Sequence, residues 1–256
     1  MEDEIIKKLK ESMFTSHMDS FRFLQDESMP IGAEYLLTVN AAKAIDELNK
    51  DPGTPFTSGV YQIFLEHKTA KLESRCKPRP SRRPLMSKKS WLYPREVYGP
   101  GKRVSRRGRV DIAVYKKSRN PIIHDPLCVI ECKGFNPVKK YILRDLKRNS
   151  ELLNLKFTTG VSKLSFTAFM AFHSFRKAIN DSDKNKNKEK IKKRYKKYIR
   201  HEPILNKVSQ DINVFTVEEG YFPRPDDPYV QEYELDGNED YQLVGVIVIS
   251  KKSDGL

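Results

Sequence analysis

Long apolar runs are missing from this chain of 256 residues; none approaches the length of about 20 residues that a membrane-crossing helix needs. The first residues, Met1, Glu2, Asp3 and Glu4, are acidic where a secretory leader would be basic and then greasy. These absences predict a cytoplasmic protein with no membrane partner. Cysteine is scarce too. Cys76, Cys128 and Cys132 are odd in number, and the last two sit four apart on an expected buried strand, so neither a disulfide framework nor a zinc site is expected. Negative charge is also in deficit: 34 acidic residues face 48 Lys and Arg, leaving a formal charge of +14. An excess of that size is the footprint of a protein that handles a polyanion, nucleic acid first, with a merely soluble basic protein as the bland alternative. No internal repeat is visible, and nothing in the composition suggests collagen, coiled coil or wholesale disorder, so one domain over 1–256 is expected.

Ile5, Ile6, Leu9, Met13, Phe14 and Met18 recur at three- and four-residue intervals and predict one or two amphipathic helices in residues 4–24. Leu37, Ala41, Ala44, Ile45 and Leu48 line one face of a second helix, which Asp51, Pro52 and Gly53 end. Residues 59–68 are ambiguous; their β-branched and aromatic content favours strand, although continuation through Leu72 and Glu73 also suits a helix. Two clear strands follow, Val110 to Tyr115 and Leu127 to Lys133, joined by a polar connection with Pro121 and read as an antiparallel hairpin. A helix over 139–154, a strand over 164–173, a lysine-rich helix over 183–200 and strands at 212–217 and 243–249 complete the chain, the last apolar enough for burial on both faces. The order predicts an α/β protein with a mixed sheet.

Chemistry concentrates in the hairpin. Period-two alternation sends Asp111 to the side opposite Val110, Ile112 and Val114, and puts Glu131 and Lys133 together on one face of their strand. If Asp111 lies across from Glu131, two hard carboxylates come within reach of one cation, a pairing suited to Mg²⁺ with Mn²⁺ as a substitute. The Cys132 backbone carbonyl between the two side chains offers another oxygen. Lys133 is placed to orient or deprotonate an attacking water and to stabilise developing negative charge. The bland alternative is a salt-bridged cluster on a solvated sheet face. On the following helix Arg144, Lys147 and Arg148 stand as candidates to approach a phosphate, and Asp145 as a partner for one of them.

Gly108-Arg109-Val110-Asp111-Ile112-Ala113-Val114 followed by Val129-Ile130-Glu131-Cys132-Lys133-Gly134 resembles the D…(D/E)xK signature of the restriction-endonuclease-like, or PD-(D/E)xK, nuclease superfamily. Val110 stands where the motif's name has proline. The resemblance spans roughly 34–173 and implies an αβββαβ core, flanked here by an N-terminal helical extension (1–30), a basic helical insertion (181–200) and C-terminal strands (201–256). It further implies a Mg²⁺-dependent phosphodiester hydrolase with Asp111 and Glu131 as metal ligands and Lys133 as catalytic lysine. Acting on DNA ahead of RNA, in restriction, phage defence or repair, is the expectation, with a homodimer as one arrangement of the fold. Such folds often add a further acid; Glu34, Glu66, Glu96 and none at all remain open.

Basic residues crowd the stretch from Arg75 to Arg109, where Arg82, Arg83, Lys88, Lys89, Arg103, Arg106, Arg107 and Arg109 interleave with Trp91, Tyr93 and Tyr98. That mixture neutralises phosphates and stacks on exposed bases. Lys192, Lys193 and Arg194 belong to a second basic segment, either a grip on a duplex backbone or a mobile insertion. A binding protein on the same fold without hydrolysis is the alternative function.

Overall fold

In the first half of the first helix every fourth residue, Ile5, Leu9 and Met13, is apolar and fully buried, and the adjoining stripe is serine. Ser12, Ser16 and Ser20 turn their hydroxyls back onto carbonyls of their own helix at 2.6–2.8 Å. Small, internally satisfied side chains let a second helix lie close, and Asn40 from that helix donates to Asp19 at 2.8 Å. In the computed structural model, which describes residues 2–24, 30–49, 59–78, 104–105, 107–117, 124–157, 160–176, 178, 180–222 and 239–253, these are α1 (Glu2–Leu24) and α2 (Pro30–Asp46), closed by a 3₁₀ turn at Glu47–Asn49.

The ambiguous segment is both things in succession: β1 (Tyr61–Lys68) runs directly into α3 (Thr69–Cys76). Next come β2 (Arg109–Lys117), β3 (His124–Phe135), α4 (Lys139–Leu153), the small hairpin β4 (Lys156–Phe157) and β5 (Gly160–Val161), β6 (Phe166–Arg176), α5 (Asp181–Arg200), β7 (Val208–Phe222) and β8 (Glu239–Lys252). The protein is thus α/β, with a mixed six-stranded sheet in the order β1-β2-β3-β6-β8-β7. Among the described strands only the β3–β6 pair is parallel, and it is joined through α4, as a parallel crossover requires. No helix among the described residues is long and apolar enough to cross a membrane.

Both faces of the sheet are covered. Ile112, Ile130, Cys132, Ala168 and Met170 pack beneath α1 and α2, while Phe169, Ala171, Val244, Val246 and Val248 pack beneath α4 and α5. Three expectations change here. The first helix is part of the main core, since Ile5, Leu9 and Met13 are fully buried in it. The lysine-rich α5 is no loose insertion; Ile191 and Tyr195 anchor it to the sheet. Nor are the C-terminal strands an appendage: β8 stands inside the sheet between β6 and β7.

The apolar alternation of β8 explains its place. Leu243, Ile247 and Ile249 face one helical layer, and Val244, Val246 and Val248 face the other. Gly245 interrupts this pattern because the Phe215 ring and Val217 lie over it, and an added Cβ would meet both at 2.9 Å. Gly245→Ala is therefore expected to lower stability by about 1–3 kcal/mol through overpacking, read as a lower urea midpoint with an unchanged slope.

Candidate functional site

The register of β2 on β3 pairs Val114 with Cys128, Ala113 with Val129 and Ile112 with Ile130. One step further, the same register sets Asp111 across from Glu131. The Cys132 amide donates to Asp111 Oδ2 at 2.7 Å, which fixes that carboxylate against the neighbouring strand. This side of the hairpin is no solvated face: Ala113, Tyr115 and Val129 are core residues there, and Glu131 is fully buried. Neither Glu131 oxygen has an aligned hydrogen bond, although the Arg148 guanidinium lies against Oε1 as an ion pair.

Burial, then the charge of Asp111 and that of Asp145, push the Glu131 carboxyl well above the usual range, and Arg148 only partly offsets them. Lys133 behaves oppositely. Its ammonium is 2.8 Å from Glu34 of α2 and 3.3 Å from Asp145 of α4, and it also donates to the Cys132 carbonyl at 2.7 Å. Burial disfavours the charge, yet Asp145, Glu34 and Asp111 together outweigh it and raise the Lys133 pKa. Lys133 is consequently held as a cation, suited to orienting and stabilising negative charge rather than to removing a proton.

The structure brings Glu34, Asp111, Glu131 and Lys133 together and adds two residues, one of which the sequence reading placed differently. Asp145 and Arg148 are not on a phosphate-facing surface but are 1% and 2% exposed. Arg148 also donates to the Arg109 carbonyl at 2.7 Å and lies 3.5 Å from Asp145. Their signal was present in the spacing: Ile142, Asp145, Leu146 and Asn149 recur at three and four residues, so the buried face of α4 includes the acid. Arg144 and Lys147 stay on the outer side, Arg144 at 3.8 Å from Asp145 and Lys147 paired with Glu202 at 2.7 Å.

Glu66 sits between the Leu65–Ile112 and His67–Val110 pairs, the β1 position beside Asp111, but it is exposed and has φ of 50°. Glu96 lies outside the described residues, as do Arg82, Arg83, Lys88, Lys89, Arg103, Arg106, Trp91, Tyr93 and Tyr98. Arg107 and Arg109 are exposed beside β2, and Lys192, Lys193 and Arg194 lie on α5 with Lys193 the most open. His67 and His173 are structural, bonded at 3.0 Å to Tyr115 and Tyr195. All three cysteines are free and buried.

No group of three or more His, Cys, Asp or Glu able to hold a metal occurs among the described residues. Asp111 and Glu131 nonetheless suit one hard cation, because Mg²⁺ is commonly held by one or two carboxylates with water and substrate oxygens completing the shell. The unbonded oxygens of Glu131 and its mutual repulsion with Asp111 are the observations that favour a cation there. The Cys132 carbonyl is a weaker candidate, since Lys133 already donates to it. Compared with protein families, curated proteins and solved structures, the chain matches none of them.

Proposed function

We propose that the chain is a divalent-metal-dependent nuclease of the PD-(D/E)xK type, hydrolysing phosphodiester bonds in nucleic acid, DNA ahead of RNA. The observation that carries this reading is the buried, cross-strand pair Asp111 and Glu131 with Lys133 held as a cation beside them. With the short α3 and the β4–β5 hairpin set aside, the order α2, β1, β2, β3, α4, β6, with β3 parallel to β6, supports it, being the order expected of an αβββαβ core. Carboxylates also outnumber the buried cations in the cluster: Glu34, Asp111, Glu131 and Asp145 face Lys133 and Arg148.

In this reading Asp111 and Glu131 would hold Mg²⁺ or Mn²⁺, which when bound would acidify a water and neutralise charge at the scissile phosphate. Asp111, pinned by the Cys132 amide, keeps its second oxygen directed. Lys133 stabilises the extra negative charge on the phosphoryl oxygens as the bond to the leaving oxygen breaks. Glu34 and Asp145 position that ammonium from opposite helical layers, and Arg148 positions Glu131. A second reading, nucleic-acid binding without hydrolysis, draws on one observation: Arg148 already gives Glu131 a counter-charge.

Labelled single- and double-stranded DNA and RNA incubated in Mg²⁺, Mn²⁺ or EDTA separate the two. Cutting that requires metal and is lost in Asp111→Ala is the expected result. Absence of cutting on every substrate, with salt-dependent binding retained, would sink the nuclease and favour the second reading. Under either, Lys192→Gln with Lys193→Gln is expected to weaken binding evenly across sequences. It should also flatten the plot of log affinity against log salt by about 1–2 in slope, measured by titration at several salt concentrations.

A further inference from the structure

Two cavities of about 220 and 340 Å³ open side by side between α3 and the strands β1 to β3, with Arg75 and His124 in the walls of both. They form two lobes of one depression, near the size of about 300 Å³ at which pockets for single small molecules begin. One wall is aromatic. Tyr115 meets Phe64 edge-on at 5.5 Å and His67 at 5.6 Å, and its hydroxyl is bonded to His67 Nε2. The other wall is basic: Lys71 and Arg75, four apart on α3, line the smaller lobe with no carboxylate partner among the described residues. The single acid among the described residues of either wall, Asp125, is already paired with Lys163 at 3.0 Å. His124 Nδ1 is buried there without a hydrogen bond.

Two cations facing one space, with no carboxylate partner among the described residues, call for an anion of more than one charge, which a phosphate monoester supplies and a diester does not. An adjoining wall of ring faces and edges calls for a flat, π-bearing group. We propose that this depression binds a nucleoside monophosphate unit, with its phosphate on Lys71 and Arg75 and its base against Phe64 and Tyr115. Burial, with the charges of Lys71 and Arg75, lowers the His67 pKa, in keeping with a positive field in the pocket. The pocket lies four residues along β2 from Asp111, about 13 Å at strand rise, and does not depend on the nuclease reading. Free nucleotide and the phosphorylated end of a strand share this chemistry.

The test is calorimetric titration of the full chain in EDTA, where no cleavage interferes. The probes are dTMP, inorganic phosphate, and one short single strand carrying a 5′-phosphate, a 3′-phosphate or hydroxyls only. A phosphorylated probe is expected to bind about tenfold or more tightly than the hydroxyl-ended strand. Lys71→Gln with Arg75→Gln should abolish that preference, whereas Lys7→Gln with Lys43→Gln, which removes equal charge from α1 and α2, should retain it. Tighter binding of dTMP than of any strand identifies the free nucleotide as ligand; the reverse identifies a strand end, and names which. Equal affinity for phosphorylated and hydroxyl-ended strands overturns the proposal. So does a preference that survives loss of Lys71 and Arg75, or inorganic phosphate binding as tightly as dTMP.

Discussion

Glu131→Gln is expected to abolish metal-dependent cleavage and, in the metal-free protein at neutral pH, to raise stability. Under the nuclease reading the loss follows from removing one of the two carboxylates that would hold the cation; at about 4 kcal/mol of forfeited charge stabilisation, the rate falls roughly 10³-fold. The gain in stability comes from the same burial. Glu131 starts from an ordinary carboxyl pKa of 4.5, and burial followed by the charge of Asp111 raises it in the folded state. The folded protein therefore holds the proton more tightly than the unfolded chain. Stability declines as pH climbs from 4.5 through the folded pKa, and above it the whole cost of the buried charge is present. Glutamine keeps the shape and escapes that cost. Denaturant midpoints of the two proteins in EDTA should coincide below pH 4.5 and diverge in favour of the variant toward pH 7. A variant less stable than the parent at pH 7 would show that Arg148 already compensates the charge. Adding Mg²⁺ should narrow the gap by stabilising only the parent, by about 2.7 kcal/mol at a hundred times the dissociation constant.

Arg148→Met should have the largest effect on stability. The side chain is 2% exposed, lies against Glu131 and Asp145, and ties α4 to β2 through the Arg109 carbonyl. Methionine fills much of the volume, so the principal loss is the cation. Removing one partner from a buried ionic cluster costs about 3–5 kcal/mol, because the charges left behind stay desolvated. Arg148 also acts to lower the Glu131 pKa, so without it that pKa rises further and the deficit shrinks as acid protonates Glu131. Urea unfolding at pH 7 and pH 5 measures this directly; equal losses at both would mean that Arg148 does not act through the charge of Glu131. The double variant with Glu131→Gln should recover much of the loss, a coupling expected only of residues in contact.

The centre of the site was legible because strand alternation has a short, rigid period. Asp111, Glu131 and Lys133 are the charged residues in two otherwise apolar runs, and period two settles which face each takes. The midpoint of Asp111 and Glu131 falls at residue 121, so even their opposition followed from a turn near Pro121. The further acid was not legible, since Glu34 and Glu66 come from elements whose placement depends on packing against distant chain. Glu34 reaches Lys133 across 99 positions of sequence. Glu66 occupies a strand position beside Asp111, but its positive φ displaces the regular alternation. Arg148 was misplaced by a habit of reading charge as surface, whereas the pairing expected of Asp145 is seen with Arg144 and Arg148; on α4, neighbours at helical spacing outrank that habit. The boundary between β1 and α3 was missed as a boundary because the two readings of one segment each hold for a part of it.

The interior position of β8 has a consequence for how the protein comes into being. Residues 239–252 are synthesised after every other strand described, yet they stand between β6 and β7. Until they emerge, β6 keeps a bare edge and β7 has no neighbour to pair with. Val244, Val246 and Val248, on which α4 and α5 settle, are missing as well. Because α4 carries Asp145 and Arg148, the carboxylate centre shares this delay: a nascent chain presents Asp111 and Glu131 without the helix that organises them. Under the nuclease reading such a protein would be made beside messenger RNA and ribosomes, and the order of translation withholds the assembled cluster until its closing strand has arrived.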